Sequence, residues 1–254
     1  MATLGYCTVG SNCLEKAKIF YDALLGSAGI TWGNVPSNRL HTVWPFQPTS
    51  PGGLPTEILA RGGGHPVDVI IGTCADEWRL FTWEDPADAP GWQPSRALLA
   101  RSLPGGTDTV DRLVRSYSAL SPGLDEQDVL ARIEEDLMFT IPGQRLAQAV
   151  HARGRTARMY RFGWGTPVQS LGACHNLDVP FVFETLEAAA DLAGPNPPAG
   201  LARRMHDAWV SFARDGEVPG WPAYGPAARR VMEFAGESPG WAPERDLEMW
   251  HGLA

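Results

Sequence analysis

No apolar run in the 254 residues approaches the ~20 consecutive positions that a membrane-spanning helix needs. Basic excess is missing too. The 21 Lys and Arg against 29 Asp and Glu leave a net charge of −8, and a surface of that sign repels nucleic-acid phosphates and anionic lipid. Neither nucleic acid nor a membrane is expected as a partner. The start, M-A-T-L-G-Y-C-T-V-G, lacks a basic segment followed by a long apolar one, so no signal peptide is read and a cytoplasmic location is expected. Cysteines are few. Cys7, Cys13, Cys74 and Cys174 include no C-x-x-C pair, which argues against a zinc site or a disulfide framework. No metal and no cofactor is expected.

What the chain does have is tryptophan and proline, 10 and 22 residues respectively. Many cluster as W-G, G-W-x-P and P-G-W, at Trp83–Pro94, Trp164–Pro167, Pro219–Pro222 and Pro239–Pro243. Disordered chains are poor in aromatics, so these read as ordered loops.

Three regions follow from pattern. Residues 4–10 alternate as a strand does. Asn12 and Glu15 then form a capping box, Leu14, Ala17, Phe20, Tyr21, Leu24 and Leu25 recur at helical spacing, and Gly26 ends the helix. Residues 32–65 are rich in Pro, Gly, Ser and Thr and read as a linker. From Pro66 the character changes. V-D-V-I-I-G, Val67–Gly72, is a buried-type strand, and Glu77 falls in the turn at its carboxyl end. That edge of an open α/β sheet is where active sites collect. An acidic pair, Asp76–Glu77, can also be a solvated helix start stabilised by the helix dipole. Helices are predicted at Ser95–Arg101, Asp108–Ser118, Asp125–Thr140 and Pro142–Arg153, where Pro142 suits a first turn. A strand, Arg155–Phe162, follows, then helices over Glu184–Leu192 and 199–215 and a strand over Arg230–Phe234.

Between those last elements lies S-L-G-A-C-H-N-L-D-V-P-F-V-F, Ser170–Phe183. It sets one histidine, His175, in a short loop. Gly172 and Ala173 add no bulk beside the ring. Pro180 is expected to hold Val179 extended or in a turn, and Phe181, Val182 and Phe183 to anchor the loop in a core. A ring held that way suits a general base. On local pattern alone the plainer reading is a hydrogen-bonded loop histidine.

These stretches resemble the type B carboxylesterases, the family of the cholinesterases and bacterial p-nitrobenzyl esterases. Ser170–Phe183 is similar to that family's histidine loop. The strand, then G-T-C-A-D-E-W, is similar to its acid loop. Both occur in family order, 98 residues apart. The end of the chain, from W-V-S-F-A-R-D-G-E-V-P-G-W-P onward, is similar as well. The resemblance implies the C-terminal half of an α/β-hydrolase fold over 66–254, with His175 as general base, Glu77 as its orienting acid, and a small-molecule ester as substrate.

It also implies a serine in G-E-S-A-G at a strand-to-helix elbow, and a Gly-rich oxyanion loop. The nearest match is L-G-S-A-G, Leu25–Gly29, which makes Ser27 the candidate nucleophile. It follows a helix instead of a strand and has Leu25 where the first glycine belongs. Residues 3–31 resemble instead the first strand and helix of a glyoxalase/bleomycin-resistance (vicinal oxygen chelate) module. Tyr6 stands there in place of a metal-binding histidine. The expected architecture is a β–α unit (1–31), a linker (32–65) and a truncated carboxylesterase-like region (66–254). Two functions stay open: an ester hydrolase, or a non-catalytic remnant or interaction module without nucleophile and oxyanion loop. A sheet lacking its central strand would expose an edge, so homo-oligomerisation or a strand-pairing partner is expected.

Overall fold

The computed structural model describes residues 67–82, 95–225, 229–236, 238, 240–242 and 248–253. The β–α unit, the linker, Ser27 and the loop Trp83–Pro94 lie outside them.

Four strands form one sheet in the order β1-β2-β3-β4: β1 (Val69–Cys74), β2 (Ala157–Phe162), β3 (Val231–Phe234) and β4 (Gly240–Ala242). β1, β2 and β3 run parallel, with Val69 opposite Ala157 and Met159 opposite Val231, and β4 returns antiparallel. Among the described residues β1 pairs only on its β2 side.

Parallel neighbours need crossovers. From β1 to β2 the chain passes through α1 (Arg79–Thr82), α2 (Arg96–Ser102), α3 (Gly106–Leu120), α4 (Glu126–Glu135) and α5 (Ile141–Ala152). From β2 to β3 it passes through α6 (Val179–Val182), α7 (Ala190–Ala193) and α8 (Ala199–Asp215). Ser95 Oγ caps α2 by accepting from the Leu98 N–H, and Asp125 Oδ1 caps α4 by accepting from the Asp128 N–H. No helix among the described residues is long and apolar enough to cross a membrane.

Strand alternation divides the core. Ile71 and Met159 face α5, whose Gly143 approaches both. On the other side Tyr160, Phe162, Met232 and Phe234 join Leu177, Phe181, Leu201, Met205 and Trp221 in one cluster. A second cluster, Leu99, Val110, Leu113, Ile133, Ile141 and Trp250, holds α2–α5 to the chain's end. Gly72 is demanded by the first cluster. A Cβ there would lie 2.0 Å from Tyr160 Cε1. Gly72→Ala should therefore cost about 1–3 kcal/mol, the usual range for overpacking, read as a lowered midpoint in urea.

Three local expectations are corrected. Val179 is helical, not extended: Pro180 sits in the first turn of α6, where a missing N–H is harmless. Phe183 is 56% exposed and does not anchor the loop, whereas Phe181 is fully buried. The helix expected over Glu184–Leu192 is two short pieces, a 3₁₀ turn Leu186–Ala189 and α7.

Candidate active site

The site grows from the carboxyl ends of β1 and β2. After Cys74 the chain turns tightly through Ala75–Trp78, which brings the Glu77 side chain back onto its own strand end. Glu77 Oε1 accepts from the Cys74 N–H at 2.7 Å. Its other oxygen, Oε2, lies 2.6 Å from His175 Nδ1. Glu77 is 5% exposed, and a carboxylate so deeply buried needs partners on both oxygens. The two residues singled out in the sequence are thus in direct contact.

The loops that carry them are stitched together by backbone. The Asp76 N–H donates to Ala173 O at 3.0 Å, and the Ala173 N–H donates back to Asp76 Oδ2 at 2.9 Å. Arg79 Nη1 reaches Ser170 O at 3.1 Å, and Arg79 Nε lies 3.3 Å from Asp76 Oδ1. Asp76 is therefore more than a solvated neighbour of Glu77: it ties the acid loop to the histidine loop. The adjacency D-E was visible in the sequence, but a carboxylate that bonds a backbone 97 residues away leaves no local pattern.

Gly172 makes the close approach possible. Its φ is +60°, and a Cβ on it would lie 2.5 Å from Asp76 Oδ2. Beyond His175, Asn176 takes φ +66°, a conformation asparagine tolerates better than most residues. Tyr160 OH then donates to Asp178 Oδ2 at 2.6 Å. Phe181 packs against Phe162 and Trp164, with ring centroids 5.0 and 5.1 Å away. Both ends of the loop are thereby fixed.

Two cysteines flank the pair and neither is a nucleophile at neutral pH. Burial pushes the Cys174 thiol up to about 12, and burial, with Asp178 and Glu77 nearby, pushes the Cys74 thiol up as well. Folding therefore favours the protonated thiols. The Cys174 contribution is complete below the unfolded-state value of about 9 and is lost as pH rises from there toward about 12, and Cys74 adds to it in the same direction. Native protein at pH 8 should leave both thiols unalkylated by iodoacetamide in peptide mapping. The thermal midpoint should fall as pH passes 9, less steeply in Cys174→Ala.

The expectation that the chain holds no G-x-S-x-G and that L-G-S-A-G is its nearest match to G-E-S-A-G is corrected by a closer one. It is G-E-S-P-G, Gly236–Gly240. It joins β3 to the antiparallel β4, not a strand to a helix, and Ser238 is exposed. The following Pro239 has no N–H to offer an oxyanion. Ser238 does not sit in a nucleophile elbow.

The chain and its sheet are similar to known proteins. The model of the carboxylesterase family covers residues 37–244. The chain belongs to the carboxylesterase family. It is 29% identical over 199 residues to the para-nitrobenzyl esterase of Bacillus subtilis, covering 74% of this chain and 39% of that protein. It is 31% identical over 188 residues to the fumonisin B1 esterase of Sphingopyxis macrogoltabida, covering 67% of this chain and 33% of that one. Among solved structures, a Geobacillus stearothermophilus carboxylesterase superposes with a TM-score of 0.56 at 29% identity, covering 74% of this chain and 40% of that one. The fold is accordingly that of the α/β-hydrolase esterases, and the chain spans well under half the length of these carboxylesterases. The family match begins at residue 37, inside the stretch read as a linker.

Proposed function

We propose that this chain carries the acid–base half of a serine carboxylesterase site, with His175 as general base and Glu77 as its orienting acid. The supporting observation is the 2.6 Å contact between Glu77 Oε2 and His175 Nδ1, made between two loops that backbone hydrogen bonds hold in register. An ionised carboxylate only accepts, so Nδ1 carries the hydrogen and the lone pair of the neutral ring falls on Nε2. In the reaction Nε2 takes the proton of a serine hydroxyl as its oxygen attacks the ester carbonyl. The imidazolium, stabilised by Glu77, returns that proton to the departing alcohol. Water then repeats the sequence on the acyl-enzyme. The substrate class is a small carboxylic ester, and no metal or cofactor enters.

Ser27 is the candidate nucleophile within the chain. A fluorophosphonate probe tests this directly, because it labels serines activated by a neighbouring base. Labelling of Ser27 in the purified chain, lost in His175→Ala, would place the whole triad in one polypeptide. Labelling of a serine on a second, co-purifying chain would make the active form a two-chain assembly. No labelling and no hydrolysis of a short-chain p-nitrophenyl ester by folded protein would sink the enzyme reading. That outcome would leave the alternative, a non-catalytic remnant or interaction module.

A further inference from the structure

The helical backbone does not break between α4 and α5. Thr140 and Ile141 both keep right-handed helical dihedrals. Between the two helices, Asp136–Thr140 form a π turn, in which the Ile141 N–H reaches back five residues to Asp136 O. The cause is legible in the chain. Pro142 follows at once, and proline in a continuing helix has no N–H to give and a ring that clashes with the carbonyl four residues back, here that of Met138. A π turn carries one extra residue and moves that carbonyl aside, which lets the helix continue through the proline.

The turn has a fixed end and a working end. At the fixed end Asp136 is 2% exposed. Tyr117 OH donates to its Oδ2 at 2.6 Å, and Trp250 Nε1 donates to that same hydroxyl at 2.9 Å. Trp250 is itself buried in the second core cluster. At the other end Phe139 lies against both site loops. Its ring centroid is 5.2 Å from that of His175, tilted 42°, and 6.4 Å from that of Trp78, the residue after Glu77. These separations are those of packed aromatic pairs.

One hydrogen bond holds an imidazole at a point but leaves it free to rock about that bond. An aromatic ring packed against it at a tilt restricts that rocking. We propose that the π turn Asp136–Thr140, imposed by Pro142 and pinned through Asp136, Tyr117 and Trp250, is the positioning element of His175, acting through the Phe139 ring packed beside it. The assignment rests on His175 being the base of the site. Phe139, Tyr117 and Pro142 are positioning residues, and they touch none of the reacting atoms.

The test uses the full chain and two readouts that need no turnover. One is the far-downfield proton resonance expected of Nδ1–H between His175 and Glu77. The other is the rate at which diethyl pyrocarbonate modifies His175, normalised to His206. Pro142→Ala lets α4 and α5 merge into a regular helix, so its thermal midpoint should equal or exceed that of the parent. His175 should nonetheless be modified about threefold to tenfold faster, the effect of losing one aromatic pair, and its downfield proton should broaden. Phe139→Leu and Tyr117→Phe should do the same. Val114→Ala, on the Tyr117 helix but off this path, should lower the midpoint and leave His175 as it was. Unchanged His175 rate and resonance in folded Pro142→Ala would overturn the assignment. If the parent chain shows a protected His175 but no esterase activity, the esterase reading fails and the positioning role stands.

Discussion

With Glu77 and His175 in the roles proposed for them, Glu77→Gln should lower the kcat of ester hydrolysis by roughly four orders of magnitude, the size seen when a triad acid loses its charge but keeps its shape. The mechanism is a tautomer error. Glu77 Oε2 lies 2.6 Å from His175 Nδ1 and its Oε1 accepts from the Cys74 N–H. The glutamine amide can keep the bond from Cys74 only by turning its NH₂ toward His175. Nδ1 must then accept, the ring proton moves to Nε2, and the nitrogen that should deprotonate serine becomes a donor. KM should change little, because neither group binds the ester in its ground state. His175→Ala should lose at least as much, since the base itself is gone, and the double variant should be no worse than the worse single one. Rates with a p-nitrophenyl ester decide this. Additive losses in the double variant would show that the two residues do not act as a unit.

Gly172→Ala should unfold the contact between the two site loops. Two costs combine there. An L-residue at φ +60° pays about 1–2 kcal/mol, and overpacking adds about 1–3 kcal/mol, so a loss of roughly 2–5 kcal/mol is expected. The clash is with Asp76 Oδ2 at 2.5 Å, the same oxygen that accepts from the Ala173 N–H. Alanine at 172 therefore pushes away the carboxylate that ties the loops together, and the His175–Glu77 pair parts with it. Denaturant unfolding gives the stability loss, and the downfield imidazole proton reports the pair. Asp76→Ala in the Gly172→Ala background removes the clash but not the strained φ. It should recover part of the stability without restoring the loop register. Full recovery would mean that the clash alone matters; no recovery would mean that the backbone conformation alone does.

Much of this was readable from one chain of letters. Hydrophobic alternation located β2, and 3.6-residue periodicity located α3 and α8, because a half-buried element must repeat its apolar face at its own period. G-T-C-A-D-E-W and G-A-C-H-N-L-D-V-P-F marked the acid and the histidine. Where local reasoning failed, a long-range contact had overridden it. Pro180 alone leaves Val179 extended or in a turn, and packing of Phe181 under Phe162 and Trp164 goes with the single helical turn that is found. The company of Phe181 and Val182 suggests a core place for Phe183, yet the turn after α6 directs it outward. Pro142 does stand in the first turn of α5, as expected; what local pattern did not show is that α5 runs on from α4 through a π turn.

The sequence by itself determined the element types, the family resemblance and the two residues of the candidate pair, because periodicity, turn chemistry and short motifs are local properties. Only the tertiary structure decided that Glu77 and His175 touch, that Asp76 clasps the histidine loop, and that Phe139 packs beside the imidazole. Each of these joins residues far apart in the chain and depends on how two parallel strands and their crossover helices pack, which no short window of residues encodes.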